Sequence, residues 1–135
     1  MKQLDEKMFV AGQIWPDDMT AIKAAGVTAI LNNRPDEEEP GQPSSAEIEG
    51  AARAAGLAYS YIPVSAGFSP EQIEAMATAL GDAPGPVLAF CRSGTRSTFL
   101  WALSESRRGE TSATLVGKAA AAGYDLRPIA AYLDR

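Results

Sequence analysis

The chain has 135 residues, with no histidine and only one cysteine. Without histidine there is no Ser-His-Asp or Cys-His catalytic pair, no histidine general base and no metal site with histidine ligands. With one cysteine there is no internal disulfide and no second thiol to resolve a mixed disulfide. We therefore expect no metal and no cofactor, and a reducing, cytoplasmic location.

Excess positive charge and long apolar runs are also missing. The formal net charge is −5, so neither nucleic acid nor an anionic membrane surface is an expected partner. No apolar run is long enough to span a bilayer, and the first residues are too polar for a secretory signal. The length and the 46% hydrophobic content predict a single domain over residues 1–135.

Short β-type runs alternate with helical patterns along the chain. This alternation predicts an α/β domain whose central sheet is mainly parallel, has about four to five strands and is flanked by helices. The predicted strands are residues 8–11, 27–32, 58–64 and 87–90. The predicted helices are residues 16–26, 48–55, 73–80, 98–106, 112–122 and 127–133. Ser44 with Glu47, and Ser69 with Gln72, have the spacing of capping boxes.

The cysteine ends the apolar run 86–90 and opens a polar loop that leads into a helical pattern. A strand end, a tight loop and a helix start together expose backbone N–H groups and the positive end of a helix dipole. The pattern therefore predicts an anion site with a nucleophilic thiolate, rather than a cysteine that only fills the core. The predicted catalytic residues are Cys91 and Arg96, and the predicted substrate-binding residues in the loop are Arg92, Ser93, Gly94, Thr95 and Ser97.

Within this loop Gly94 is expected to permit the turn, and Ser97 to donate a hydrogen bond to the thiolate. Arg34 follows another predicted strand and is a further candidate for substrate binding, because parallel strands end at the same edge of a sheet. Arg34 is predicted either to reach the anion pocket or to pair with the acidic run 36–39. That acidic run is otherwise expected to be solvated surface.

The spacing of the loop distinguishes two kinds of cysteine enzyme. Cysteine phosphatases carry Cys-x5-Arg, whereas here Arg96 comes one position early, and residues 91–97 resemble the active loop of rhodaneses, many of which read Cys-Arg-x-Gly-x-Arg-Ser. A shorter loop narrows the ring of N–H groups and fits a phosphoryl group less well. Residues 58–70, where dual-specificity phosphatases would place their acid, contain no carboxylate. Sulfite and thiolate leave without a proton, so sulfur transfer tolerates this gap.

A wider resemblance covers about residues 5 to 110. Residues 31–36, 39–43, 61–64 and 86–97 resemble the phosphatase-like domain of the β-lactamase-hydrolase-like proteins. The resemblance implies a tyrosine-phosphatase-like, three-layer α/β fold. In that family the domain occurs alone or fused ahead of a persulfide dioxygenase of the metallo-β-lactamase fold, and it has been labelled both a phosphatase and a sulfurtransferase.

Three functions follow as hypotheses. The leading one is a rhodanese-type sulfurtransferase that moves sulfane sulfur through a Cys91 persulfide. Its donor would be a small anion, thiosulfate or a low-molecular-weight persulfide, and a separate persulfide dioxygenase would be a further partner. The alternatives are a cysteine-dependent phosphatase of small or aryl phosphates, and a non-catalytic module that senses redox state or persulfides through its thiol.

Overall fold

A five-stranded sheet forms the centre of the computed structural model, which describes residues 1–133; residues 134 and 135 of the predicted domain lie outside the described residues. The strands are β1 (Lys2–Asp5), β2 (Met8–Ala11), β3 (Ala29–Asn32), β4 (Ala58–Tyr61) and β5 (Val87–Phe90). Their order is β1-β2-β5-β3-β4, and only β1 is antiparallel to its neighbour. The predicted, mainly parallel sheet is confirmed.

Five α-helices connect or follow these strands: α1 (Met19–Ala24), α2 (Ser45–Ala54), α3 (Pro70–Asp82), α4 (Thr95–Arg107) and α5 (Ser112–Ala121). Short 3₁₀ helices precede α1 and end the described chain, at Pro16–Asp18 and Arg127–Tyr132. Both predicted capping boxes are present, because Ser44 and Ser69 accept hydrogen bonds from the N–H groups of Glu47 and Gln72.

The helices cover both faces of the sheet and give the predicted three layers. Alternate residues of β5 lie in different cores, because successive side chains of a strand point to opposite faces. Leu88 and Phe90 pack with residues of α1 and α2, whereas Val87 and Ala89 pack with residues of α3, α4 and α5. Such burial on both faces explains why β5 is a continuous apolar run in the sequence.

The predicted strands 27–32 and 58–64 are longer than β3 and β4, and two further departures concern the sheet edge and the start of α4. Strand β1 was not predicted, because only Leu4 of its four residues is buried and the antiparallel edge strand leaves the others outside the core. Helix α4 begins at Thr95 rather than at residue 98, so the helix start includes the polar residues of the cysteine loop, which carry no apolar periodicity. Within residues 1–133, none of the helices has the length and apolar content needed to cross a bilayer.

The parallel strands β2, β3 and β5 end at the same edge of the sheet. Two hydrogen bonds join their ends: the Cys91 N–H donates to the carbonyl of Ala11 at 3.4 Å, and the Asn33 N–H donates to the carbonyl of Phe90 at 2.8 Å. The polar residues that follow these strands therefore meet at this edge, as expected for the binding side of an open α/β sheet.

Candidate active site

Cys91 lies directly after β5 at the start of a tight loop, here called the Cys91 loop (residues 91–96). Its side chain is buried, with 1% of the residue exposed. The backbone N–H of Gly94, the residue before α4, donates to the Cys91 sulfur at 3.1 Å. A donor at this distance stabilises negative charge on sulfur, and the start of α4 adds the positive end of its dipole. The geometry suits a thiolate nucleophile.

Three carbonyl groups of the Cys91 loop are held by donors that lie outside the loop's interior. The carbonyl of Arg92 accepts from the N–H of Gln13 at 3.4 Å, that of Ser93 from the Tyr124 hydroxyl at 3.1 Å, and that of Gly94 from the Thr98 hydroxyl at 2.8 Å. In a trans peptide the C=O and the following N–H point in opposite directions. Holding these carbonyls outward therefore directs the N–H groups of the loop inward, which is the arrangement of an anion site.

Arg96 contributes a guanidinium whose orientation is fixed. Its Nη1 donates to Glu38 Oε2 at 2.6 Å and to the carbonyl of Val64 at 2.7 Å, and its Nη2 donates to Glu38 Oε1 at 2.8 Å. Three of the five N–H groups of the side chain are used in this way. The remaining Nε–H and Nη2–H lie side by side, so they form a two-donor edge for an anion bound at Cys91.

Glu38 joins Arg96 to a second, buried arginine. Arg34 donates through Nε to Glu38 at 2.9 Å, through Nη2 to Glu39 at 2.6 Å and through Nη1 to Gln13 at 2.8 Å. Only 3% of the Arg34 side chain is exposed. Arg34 thus pairs with the acidic run, the second of its two predicted roles. Residues 36–39 lie in an exposed loop, as predicted, but Glu38 and Glu39 are more than solvated surface, because arginines bind both carboxylates.

These ion pairs shift the pKa values of Glu38 and Arg96. The hydrogen bond from Arg96, aided by Arg34 and opposed by burial, lowers the pKa of Glu38 from 4.5 to about 2. The hydrogen bond to Glu38 raises the pKa of Arg96, and the charge on Cys91 adds to this increase. Glu38 therefore stays ionised at neutral pH and cannot deliver a proton to a leaving group, whereas Arg96 is a permanent cation beside Cys91.

The other predicted site residues lie around the mouth of the loop. Two thirds of the Arg92 side chain (67%) is exposed, and its guanidinium pairs with Glu39 at 3.5 Å. The hydroxyls of Ser93 and Thr95 lie 3.2 Å apart and are exposed. Ser97 differs from its prediction: its buried hydroxyl has no hydrogen-bond partner within the described part of the chain, so the expected bond to the thiolate is not formed in this structure.

Residues 1–108 match the family described as the phosphatase-like domain of beta-lactamase hydrolase-like protein. The chain belongs to this family. A beta-lactamase hydrolase-like protein of Agrobacterium fabrum is 37% identical over 137 residues, which is 98% of this chain and 31% of that protein. The phosphatase-like domain described here therefore spans about a third of the length of that curated relative.

Solved structures agree with the family. The crystal structure of a candidate phosphatase from Neisseria meningitidis Z2491 has 33% identity and a TM-score of 0.86, and the match covers 98% of this chain and 95% of that one. Human DUSP28 has 20% identity and a TM-score of 0.67 over 96% of this chain and 85% of its own, which shows the fold alone. The phosphatase-like domain thus has the predicted tyrosine-phosphatase-like fold. The resemblance of its loop to rhodaneses stays a prediction.

Two residues at the site of this phosphatase-like domain were missed by sequence reasoning. Glu38 belongs to an acidic run that follows a strand ending at the same edge of the sheet as Cys91, and this position in the chain was the available signal. Tyr124 follows α5 and lies 31 residues from Ser93, the residue it contacts. Nothing in the local sequence of Tyr124 indicates this contact.

Proposed function

We propose that this domain is a cysteine-dependent phosphatase that acts on small phosphate monoesters with good leaving groups, such as aryl phosphates. The observation that carries the proposal is the meeting of Cys91, the Gly94 N–H and the Arg96 guanidinium, which is held by Glu38, at the start of α4 in a tyrosine-phosphatase-like fold. The family and the Neisseria structure support a phosphatase-type enzyme over the sulfurtransferase predicted from the loop.

In the proposed reaction the Cys91 thiolate attacks the phosphorus atom and the ester P–O bond breaks. The leaving oxygen takes the electron pair, and water then hydrolyses the phosphocysteine. The N–H groups of the loop and the Nε–H and Nη2–H edge of Arg96 bind the phosphoryl oxygens. Glu38 is ionised and bound to two arginines, so it supplies no proton to the leaving group. An aryl oxide leaves without that proton more readily than an alkoxide, which restricts the substrate class.

The sulfurtransferase hypothesis remains as a second candidate because one observation favours it. Four residues separate Cys91 from Arg96, one fewer than in Cys-x5-Arg phosphatases. In this alternative the thiolate attacks the outer sulfur of thiosulfate, the S–S bond breaks, sulfite leaves with the electron pair, and a Cys91 persulfide remains for an acceptor. A persulfide donor would release a thiolate instead of sulfite. Neither leaving group needs a proton donor.

One set of measurements separates the candidates. The protein and its Cys91→Ser variant are assayed with p-nitrophenyl phosphate and with thiosulfate plus cyanide, and the intact mass is measured after each substrate. We expect hydrolysis of the aryl phosphate that is lost in Cys91→Ser. Thiocyanate formation that exceeds hydrolysis, with a gain of one sulfur atom on Cys91, would replace the proposal by sulfur transfer. Modification of Cys91 without turnover of either substrate would instead indicate a thiol-sensing module.

A further inference from the structure

Tyr124 contacts the Cys91 loop from outside the 108 residues that define the family match. We propose that Tyr124 is a positioning residue: its hydroxyl holds the Ser93–Gly94 peptide in the orientation that aims the Gly94 N–H at the Cys91 sulfur. The inference rests on the proposed function of Cys91 as nucleophile. It extends that proposal to a residue that acts on the sulfur through the backbone of the loop.

The geometry of one peptide group carries the inference. The Ser93 carbonyl and the Gly94 N–H belong to the same peptide plane and point in opposite directions. The Tyr124 hydroxyl donates to the carbonyl at 3.1 Å, and the N–H donates to the Cys91 sulfur at 3.1 Å. Rotation of this plane would break both hydrogen bonds together. The Tyr124 hydroxyl, by binding the carbonyl, therefore also fixes the direction of the Gly94 N–H.

Only glycine at residue 94 leaves room for the Tyr124 hydroxyl. Its φ is +92°, a conformation that L-residues rarely adopt, and a Cβ at this position would lie 2.2 Å from the Tyr124 hydroxyl oxygen. The same Cβ would lie 3.3 Å from the carbonyl oxygen of Ala11. The phenol thus occupies the space that any side chain at residue 94 would need, so the close approach depends on glycine.

Tyr124 lies just after helix α5, and the end of this helix fixes its position. Helix α5 ends in a Schellman motif, in which the Tyr124 N–H donates to the Ala119 carbonyl at 2.8 Å and the Gly123 N–H donates to the Ala120 carbonyl at 3.0 Å. Leu115 and Ala119 of the helix are fully buried in the core shared with α4. Burial, and then the charge on Cys91, raise the pKa of Tyr124, so its hydroxyl remains a protonated donor at neutral pH.

The test replaces only the hydroxyl. Tyr124→Phe keeps the ring that packs on Gly94, and Tyr132→Phe is the matched control, because Tyr132 is exposed (63%) and belongs to the same C-terminal segment. The thiolate of the full chain is titrated by its ultraviolet absorbance, with the Cys91→Ser form of each variant as the blank. Because Cys91 is the only cysteine, the difference reports this thiol alone.

We expect the thiolate titration of Tyr124→Phe to move to higher pH. The ratio of thiolate to thiol at pH 7 should be about 3- to 10-fold smaller, because one hydrogen bond contributes about this much to an equilibrium. Its kcat on p-nitrophenyl phosphate should fall by a similar factor, and Tyr132→Phe should match the unmodified protein in both assays. A Tyr124→Phe titration that coincides with that of the unmodified protein would overturn the inference, even if the melting temperature fell. Because the titration needs no turnover, it decides the role of Tyr124 even if the proposed phosphatase activity fails.

Discussion

The two sides of the Cys91 loop are held by different kinds of interaction. On one side the acidic run binds the arginines through charged hydrogen bonds, with Glu38 between Arg34 and Arg96. On the other side a neutral tyrosine hydroxyl and close packing hold the backbone at Gly94. The charged side fixes where the guanidinium points, and the neutral side fixes where the N–H points. Charge pairs respond to pH and salt, whereas packing does not, so the two sides can be perturbed separately.

The largest effect should come from breaking the neutral side with Gly94→Ala. The added Cβ would lie 2.2 Å from the Tyr124 hydroxyl oxygen at a φ of +92°, so the loop or the tyrosine must move. Because the Cβ would also crowd the backbone carbonyl of Ala11, at 3.3 Å, we expect the loop to move and the Gly94 N–H to leave the sulfur. Loss of one oxyanion donor costs about 100- to 1000-fold in kcat, and we expect a loss near that size for p-nitrophenyl phosphate. The measurement is steady-state kinetics together with the melting temperature.

Gly109→Ala is the control for backbone strain alone. Gly109 also has a positive φ, +103°, but an added Cβ there would meet no atom within 4 Å. Both variants should lose about 1–2 kcal/mol of stability from the left-handed conformation, and only Gly94→Ala should lose activity. Equal losses of activity in the two variants would show that contact with Tyr124 is irrelevant to the loop.

A smaller effect should follow from weakening the charged side with Glu38→Gln. The amide keeps the shape of the side chain but offers one acceptor in place of a carboxylate bound by two arginines. We expect kcat/KM to fall about 10-fold, because Arg96 loses the partner that orients its guanidinium. Glu39→Gln is the control, since Glu39 binds Arg34 and Arg92 but not Arg96. A loss in Glu39→Gln as large as in Glu38→Gln would contradict a specific role for Glu38.

Glu38→Gln also tests how the free energy of unfolding depends on pH. The pKa of Glu38 is about 2 in the folded protein and 4.5 as its ordinary value, so the folded state favours the ionised form. This contribution is fully present above about pH 4.5 and is lost as the pH falls through 2. Urea unfolding at pH 7, 4 and 3 should therefore show a steeper loss of stability for the unmodified protein than for Glu38→Gln. Parallel pH profiles would mean that the ion pairs of Glu38 do not stabilise the fold.

On both sides the sequence predicted the residues of the loop but not the distant residue that holds them. Local signals were sufficient for the capping boxes at Ser44 and Ser69, for the apolar strand β5 and for the Cys91 loop, since each depends on neighbouring residues. The pairing of Arg34 with the acidic run was one of two predicted outcomes. The Glu38–Arg96 contact spans 58 residues and the Tyr124–Ser93 contact spans 31. Contacts of this range depend on how the layers pack, which local spacing does not specify.

The smallest effect should come from Arg92→Ala, which tests whether the charged side acts through position or through net charge. The Arg92 side chain is 67% exposed, and its ion pair with Glu39 is 3.5 Å long. Exposed pairs contribute about 0–1 kcal/mol and are screened by salt. We expect kcat/KM to change less than about 3-fold at moderate ionic strength. A loss comparable to that of Glu38→Gln that disappears in high salt would show that the site attracts its anion through its overall charge. The orientation of Arg96 would then matter less than the number of cations around Cys91.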